Sequence, residues 1–284
     1  IHILFLSLIA RIFSFYLFGD ESLVNEWAKI IHNKKISGLF GYYVVINDYF
    51  ADPKFAEYDE IVLPTVFMPP LYSYYIYMFE LIPFENFTLS DLVIISQILI
   101  SLITIYIFYK LVHYFEKEDI SLVSTAVFAF FPLNVWVSSQ ISSITIQIFL
   151  IVCFLFYLVK FQEEKNTKYL ILFSLLSGFL ILIRGEFLLF YFFTIVYFFI
   201  ILEKKFKNLI LSLFFTILII SPYIYRNYST FNELTLTKSF GYNLLKGNNP
   251  NLIVEGDAVF LEEEFDRKKL KIRANENYEI NLDN

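Results

Sequence analysis

Cysteine, histidine, glycine and proline are all scarce in this sequence. Its 284 residues include a single cysteine, Cys153, so an intrachain disulfide and a cysteine-based metal site are excluded. The three histidines, His2, His32 and His113, are scattered without the spacing of a zinc motif. Glycine and proline occur only eight times each, which excludes collagen-like and low-complexity chains.

Charged residues are also scarce, and their balance is acidic. They make up 18% of the sequence, where about 25% is usual, and the net charge is −6. Nucleic-acid binding depends on a basic face that counters phosphate charge, so a nucleic-acid partner is not expected. Hydrophobic residues reach 57%, with 35 phenylalanines and 21 tyrosines. A globule of this size could not bury so much apolar surface, so the composition predicts a polytopic membrane protein in contact with lipid.

Seven apolar runs, separated by polar breaks, are candidates for transmembrane helices. A helix that crosses the hydrocarbon core needs about 20 residues, with about 17 as the lower limit. The candidate spans are residues 1–18, 89–113, 120–137, 144–161, 168–184, 187–202 and 207–225. The fifth and sixth spans require a chain reversal at Arg184-Gly185-Glu186, where glycine permits a tight turn. A single helix over 168–202 would far exceed a core about 30 Å thick. The sequence therefore predicts an all-α membrane protein with about seven transmembrane helices.

Lysines are concentrated at alternate breaks. The breaks after the second, fourth and sixth spans carry Lys110, Lys117, Lys160, Lys165, Lys168, Lys204, Lys205 and Lys207. The break at 138–143 has neither lysine nor arginine. By the positive-inside rule, the lysine-bearing breaks are predicted to be cytoplasmic. We therefore predict a transmembrane domain at 1–225 with its first outer loop at 19–88, followed by the start of an outer soluble segment at 226–284.

The first outer loop is predicted to contain interfacial helices. The stretch 22–35 is amphipathic, which suits a helix lying in the membrane interface. A second apolar stretch begins at Pro69-Pro70 and is about 14 residues long, too short for a span. Because proline is favourable in the first turn of a helix, we predict a re-entrant or interfacial helix there. The first residue is Ile1 rather than methionine, and we interpret the N-terminus as truncated.

Polar residues at the ends of spans have both structural and functional interpretations. Asp20-Glu21, where the first span meets the outer loop, is either a helix cap or a general base for a hydroxyl nucleophile. Arg184, beside Glu186, either snorkels and marks the reversal or binds a phosphate. Arg226 follows the seventh span, where it is interpreted as an anchor at the headgroups. Position alone favours the structural interpretation in each case.

Two further features have weaker signals. Arg11 lies inside the first span, where an ionisable residue is usually functional. Gly247-Asn248-Asn249-Pro250 is either a simple turn or a loop whose amides grip a sugar or phosphate. The turn is the favoured interpretation from position alone.

Five motifs then stand in a fixed order along the chain. They are Asp20-Glu21, Pro69-Pro70-Leu71-Tyr72, Ile183-Arg184-Gly185-Glu186, Ser221-Pro222-Tyr223-Ile224-Tyr225-Arg226-Asn227-Tyr228, and Gly241-Tyr242-Asn243-Leu244 with Gly247-Asn248-Asn249-Pro250. Together they resemble the membrane glycosyltransferases of the C superfamily. The closest resemblance is to bacterial relatives of the dolichyl-phosphate-mannose protein mannosyltransferases (glycosyltransferase family 39) and to the lipid A aminoarabinose transferases.

The resemblance implies a C-type glycosyltransferase fold and a reaction. Such enzymes transfer a sugar from a polyprenyl-phosphate carrier to a hydroxyl of a lipid, glycan or protein, at the outer face of the bacterial plasma membrane. It implies that Asp20 is the general base, with Glu21 as its neighbour or as a metal-contacting partner. It also implies that Arg184, and secondly Arg226, stabilise the leaving phosphate. No cofactor is indicated with certainty, and a divalent metal remains an open alternative.

The same resemblance gives four substrate-binding candidates, which are Tyr72, Glu186, Asn248 and Asn249. The sequence departs from the family pattern in four places. Met68 stands where relatives often have a basic residue, Gly185 replaces a proline and Tyr223 replaces a tryptophan. The stretch 142–145 lacks an acidic residue that relatives often carry.

Two other functions are weighed against the transferase. One is an outer-face polysaccharide polymerase or ligase that uses a diphosphate carrier, and the other is a lipid-sugar transporter without catalysis. A transporter is expected to show broken helices and polar residues at mid-membrane, whereas the polar residues here fall mainly at the ends of spans. The early position of the large loop 19–88 favours the transferase over the polymerase.

Overall fold

The structure is a computed structural model that describes residues 2–18, 43–45, 62–64, 66, 69–81, 87–201 and 205–237. Nine helices lie in these ranges. They are α1 (His2–Phe18), α2 (Leu71–Glu80), α3 (Leu89–Val112), α4 (Glu118–Phe130), α5 (Pro132–Ser138), α6 (Ile144–Glu164), α7 (Thr167–Ile183), α8 (Phe187–Ile201) and α9 (Lys205–Phe231). The interfacial helix predicted over 22–35 lies outside the described residues.

Three described helices are long and apolar enough to cross a membrane, namely α3, α6 and α9. The bent pair α4 and α5 makes a fourth if it is counted as one span. Helices α1, α7 and α8 are apolar but shorter, at 17, 17 and 15 residues. The helical class of membrane protein is therefore confirmed, while the count of seven spans stays a prediction.

Helices α4 and α5 occupy the span predicted over 120–137, and together they can be counted as one bent span. The two are bent by 53° at Phe131. Pro132 causes the bend, because proline has no N–H and its ring clashes with the carbonyl four residues earlier. That carbonyl, Phe128 O, instead accepts a hydrogen bond from Asn134 Nδ2 at 3.1 Å. The next carbonyl, Ala129 O, accepts from Arg11 Nη1 at 3.2 Å.

The helices turn small polar side chains inward and large apolar side chains outward. In α1, Ser7, Arg11 and Ser14 are buried, whereas Ile12 and Phe13 are more than half exposed. This inverts the pattern of a soluble helix and is expected of a helix surrounded by lipid. The described ranges therefore have the surface of a multi-pass membrane protein.

Small residues bring α7 and α9 together. Ser174 Oγ lies 2.8 Å from Ser212 Oγ, and Thr216 Oγ1 donates to Ser174 O at 2.9 Å. A Cβ added at Gly178 would lie only 2.6 Å from Ile219 Cβ. Close backbone approach through small residues is the usual basis of helix packing in membranes.

Two lysine-bearing turns meet at one end of the helices. Lys160, near the end of α6, lies over the ring of Tyr114 in the turn between α3 and α4, with Nζ 5.5 Å from the ring centroid. Its ammonium also pairs with Glu164 at 2.9 Å. The turns around Lys117 and Lys165 are therefore on the same side, as the alternation of the breaks predicts. Which side of the membrane this is stays a prediction.

The chain divides into two compact units, one of residues 1–35 and 70–222, the other of residues 36–69 and 223–284. The second unit contains a short antiparallel pair, β1 (Tyr43–Val45) and β2 (Val62–Pro64). Val44 is the register partner of Leu63. The strictly all-α prediction did not include this pair.

Helix α9 extends beyond residue 225, which was the predicted end of the seventh span. Pro222 lies inside it, and proline removes the N–H that would reach Leu218 O. Ser221 Oγ donates to that carbonyl at 3.4 Å. Such local replacement is why proline is tolerated in membrane helices.

Candidate functional site

Three hydrogen bonds in series connect four elements at the end opposite the lysine-bearing turns. Tyr72 Oη donates to Gln97 Oε1 at 2.9 Å. Gln97 Nε2 donates to Gln140 O at 2.6 Å, and Gln140 Nε2 donates to Phe18 O at 2.8 Å. We call this series, from Tyr72 through Gln97 and Gln140 to Phe18, the glutamine bridge. It joins the start of α2, the first half of α3, the turn between α5 and α6, and the last residue of α1.

Local sequence signals place the two helices that carry the first half of the bridge. Pro70 is the N-cap of α2, and its carbonyl accepts from Tyr74 N at 3.1 Å. Thr88 begins α3 with a reciprocal cap, in which Asp91 N donates to Thr88 Oγ1 and Thr88 N donates to Asp91 Oδ2. Helix α2 packs against α3 and α7. The predicted short helix after Pro69-Pro70 is thereby confirmed.

Tyr72 is held as a neutral hydrogen-bond donor. It is 1% exposed, and burial, with a smaller contribution from Tyr75, raises the pKa of its phenol well above the ordinary value. The two rings stack with centroids 5.9 Å apart. Its hydroxyl supports Gln97 within the helix packing. A direct contact of Tyr72 with substrate stays a prediction.

Two further contacts connect α1 to neighbouring segments, at positions earlier in α1 than Phe18. Ser14 Oγ lies 2.9 Å from Ser139 Oγ, in the turn that leads to Gln140. One helical turn earlier, Arg11 Nε donates to Ser101 Oγ at 2.7 Å. Arg11 is 1% exposed and also contacts Ser7. Its role in the described structure is to tie α1 to α3 and α4.

Sequence analysis did not identify Gln97, Gln140 or Ser139. A signal for the first was present, because Gln97, Ser101 and Thr104 share one face of the otherwise apolar α3. Polar residues at this spacing in a membrane helix indicate a contact with another helix. No signal in the sequence indicated which residues Gln97, Gln140 and Ser139 would contact.

The predicted reversal at Arg184-Gly185-Glu186 is confirmed. Helix α7 ends at Ile183, α8 begins at Phe187, and Phe187 N donates to Arg184 O at 3.1 Å. Helices α6 and α7 form a hairpin around Lys165, so α7 ends on the side where α6 begins. Arg184 therefore lies on the side of the glutamine bridge.

The guanidinium of Arg184 is accessible. Its Nη1 is 3.4 Å from Glu186 Oε1, and the two side chains are 43% and 71% exposed. An exposed ion pair of this kind contributes little stability, about 0–1 kcal/mol. The guanidinium is therefore free to rearrange toward an incoming anion.

Arg226 belongs to the second unit and is buried, at 4% exposed. Its Nη1 donates to Asn227 Oδ1 at 3.0 Å, and its guanidinium lies 5.4 Å from the ring centroid of Phe231. Asn227 Nδ2 in turn donates to Thr235 O at 2.7 Å. Both interpretations of Arg226, as an anchor at the headgroups and as a donor-phosphate contact, stay predictions.

The other four predicted site residues, Asp20, Glu21, Asn248 and Asn249, lie outside the described residues. Phe18, which ends α1 and accepts the last hydrogen bond of the glutamine bridge, precedes Asp20 by two positions. Within the described ranges, no cluster of three His, Cys, Asp or Glu side chains could hold a metal ion.

Inward polar faces, outward apolar faces and a polar cluster at one end define a multi-pass helical membrane protein. The sequence model of the family described as dolichyl-phosphate-mannose-protein mannosyltransferase matches residues 68–225, more than half of the chain. The chain belongs to this family. Comparison with curated proteins and with solved structures gives no match.

The resemblance found in the sequence is thus confirmed, and the chain is a mannosyltransferase-like membrane glycosyltransferase. The matched range contains Tyr72, Arg184 and Glu186. Asp20 and the motif at 247–250 lie outside it.

Proposed function

We propose that the protein transfers a sugar from a polyprenyl-phosphate donor to a hydroxyl acceptor at the outer face of a bacterial plasma membrane. One observation carries the proposal. The glutamine bridge brings the family's Pro-Pro-Leu-Tyr motif on α2 to the end of α1, immediately before the acidic pair Asp20-Glu21. The helix that begins with this motif and the end of the helix that precedes Asp20 in sequence thus lie at the same end of the protein.

In the proposed reaction, Asp20 accepts the proton of the acceptor hydroxyl while the hydroxyl oxygen attacks the anomeric carbon of the sugar. The bond between that carbon and the phosphate oxygen breaks, and the polyprenyl phosphate leaves with inversion at the sugar. The electron pair of the broken bond stays on the phosphate oxygen. A guanidinium at this oxygen stabilises the charge as it develops.

Arg184 is the first candidate for the leaving phosphate. It is exposed, it is only loosely paired with Glu186, and it lies on the side of the glutamine bridge. Arginine binds phosphate with two parallel hydrogen bonds. At the end of a membrane helix it would hold a headgroup phosphate while the prenyl tail stays in the bilayer. Arg226, Asn248 and Asn249 are the second donor and sugar candidates.

The test is a transfer assay with the full-length protein in lipid nanodiscs. Labelled polyprenyl-phosphate mannose and other polyprenyl-phosphate sugars are offered with membrane extracts as acceptor, and glycosylated product is measured. Asp20→Asn is expected to lower turnover by about 10²–10⁴-fold, the usual contribution of a general base. Normal turnover in this variant would remove Asp20 as the base.

The bend at Pro132 is a specific observation in favour of the transporter alternative. Broken helices with freed carbonyls occur at the binding sites of secondary transporters. The two functions separate in sealed liposomes loaded with labelled lipid-linked sugar. Movement of the donor between leaflets without any glycosylated product would support transport and contradict the transferase.

A further inference from the structure

We propose that Gln97 and Gln140 are positioning residues, which hold the end of α1 so that the segment following it is correctly placed for sugar transfer. This inference rests on the proposed function, because it concerns the same end of the protein. Neither residue belongs to a motif of the family resemblance. The geometry of the glutamine bridge supports this role.

Gln97 is positioned where an amide would be unfavourable without partners. It is fully buried in α3, and an unpaired amide inside a membrane helix is strongly disfavoured. Both ends of its amide are used. The oxygen accepts from Tyr72 on α2, and the nitrogen donates to Gln140 O beyond α5. A leucine of similar size would lose both contacts, so this site is specific for an amide.

Gln140 transfers that constraint to α1. The last carbonyls of a helix have no donor within the helix. Phe18 O is such a carbonyl, and Gln140 Nε2 supplies the missing donor at 2.8 Å. The backbone carbonyl of Gln140 binds α3 and its side chain binds α1. Gln140 therefore connects these two helices at the end of α1.

The turn that carries Gln140 is itself well held. Ser139 Oγ donates to Trp136 O at 2.7 Å, and Thr145 Oγ1 donates to Val137 O at 3.1 Å. The turn is therefore a firm support rather than a loose connection. Displacement of the end of α1 requires the loss of the Gln140 contact, not a simple movement of the turn.

A positioning role predicts a kinetic signature. Small misplacements of a reacting group lower the rate of the chemical step far more than they weaken ground-state binding, and about 1 Å can cost roughly 100-fold. Neither glutamine touches Arg184, the proposed donor contact. We therefore expect Gln97→Leu and Gln140→Ala to lower kcat by about 10–100-fold, while the KM for the polyprenyl-phosphate sugar changes less than about twofold.

Gln147 provides a matched control. It lies in the first turn of α6, and among the described residues its side-chain oxygen is buried without a hydrogen-bond partner. Gln147→Leu makes the same chemical change as Gln97→Leu but removes no hydrogen bond. Its kcat is expected to stay within about twofold of the wild type, since removing an unpaired polar group is close to neutral.

A second readout does not depend on activity. Amide hydrogen exchange of the last turn of α1, measured by mass spectrometry in nanodiscs, is expected to be about 2–10-fold faster in Gln97→Leu and Gln140→Ala, the range for one lost hydrogen bond. Exchange in Gln147→Leu is expected to match the wild type. Gln140→Ala removes the contact with Phe18 O and a longer one with Ser139 Oγ at 3.5 Å, and it leaves the backbone contact with Gln97 in place. It therefore remains informative if Gln97→Leu does not fold.

The outcomes separate the two proposals. Wild-type kcat in Gln140→Ala, or a raised KM with unchanged kcat, would overturn the positioning role. Unchanged hydrogen exchange at the end of α1 would overturn it as well, with or without an assay. Absence of transfer by the wild type would count against the proposed function, and the exchange comparison would still decide whether the glutamine bridge holds α1.

Discussion

Replacing Arg11 by lysine is expected to destabilise the protein more than replacing it by methionine. The guanidinium lies near the middle of α1 and donates to Ser101 Oγ on α3 and to Ala129 O at the end of α4. In the described structure, Ala129 O accepts from Arg11 because the bend at Pro132 displaces the backbone of α5. Lysine keeps the charge but lacks the planar fork that reaches both acceptors.

The magnitudes follow from these contacts. Methionine loses two interhelical hydrogen bonds, about 0.6 kcal/mol each in membranes, and leaves one buried carbonyl unpaired at about 1–3 kcal/mol. It also removes a buried charge, which offsets part of this loss. We expect a net cost of about 1–2 kcal/mol for methionine. For lysine we expect about 2–4 kcal/mol, because the charge remains buried with fewer partners.

The single cysteine provides the assay. Cys153 is buried in α6, so a thiol-reactive fluorophore labels it only on unfolding. About 1 kcal/mol shifts Tm by roughly 2–4 °C in chains of 150–250 residues. Arg11→Lys should therefore melt several degrees below Arg11→Met. Ile12→Met is the control, because its side chain is 53% exposed on the lipid-facing side of α1, and it should melt like the wild type.

A double-mutant cycle tests the reason as well as the size of the effect. Pro132→Ala allows α4 and α5 to continue as one helix, so that a backbone N–H can reach Ala129 O. The cost of Arg11→Met should then be smaller in the Pro132→Ala background. Equal melting of the lysine variant and the wild type, or an unchanged cost in that background, would refute the reasoning.

Three further predictions concern the proposed donor contact and the helix packing. Arg184→Ala should raise the KM for the polyprenyl-phosphate sugar about tenfold or more, because a hydrogen bond to a charged group is lost. The KM for the acceptor should rise less. Equal increases in both KM values would contradict the phosphate role. Glu186→Gln releases the guanidinium from an exposed pair worth about 0–1 kcal/mol and should lower that KM slightly, whereas a raised KM would show that Glu186 itself contacts substrate. Gly178→Ala should lower Tm, because its Cβ would lie 2.6 Å from Ile219 Cβ and overpacking costs about 1–3 kcal/mol; an unchanged Tm would show that α7 and α9 separate easily.

The positions of the helices were largely predictable from the sequence. Lipid requires long apolar runs, so polar breaks mark helix ends, and every predicted span coincides with a described helix or with the bent pair α4 and α5. The reversal at Arg184-Gly185-Glu186 followed from length alone. The Pro-Pro start of α2 followed from the preference of proline for a first helical turn.

What could not be predicted depends on contacts between helices. A proline in an apolar run predicts either a bend or a helix that continues through the proline. The first outcome occurs at Pro132 and the second at Pro222. The choice depends on which neighbouring donors meet the freed carbonyls. For the same reason Gln97 could be recognised as a contact residue, but its pairing with Tyr72 and Gln140 required the packed structure.

The polar residues of this sequence fall mainly at the ends of spans, which was weighed against a transporter. The described structure adds a bend between α4 and α5 and two polar side chains, Arg11 and Gln97, that are buried within the helices. These two side chains bind serine, tyrosine and carbonyl groups of neighbouring helices, which makes them packing contacts. Arg184, in contrast, lies exposed at a helix end with one weak partner. Arg184 is therefore better placed than the buried Arg11 to meet an anionic ligand, and among the described residues this favours the proposed chemistry at the membrane surface over passage through it.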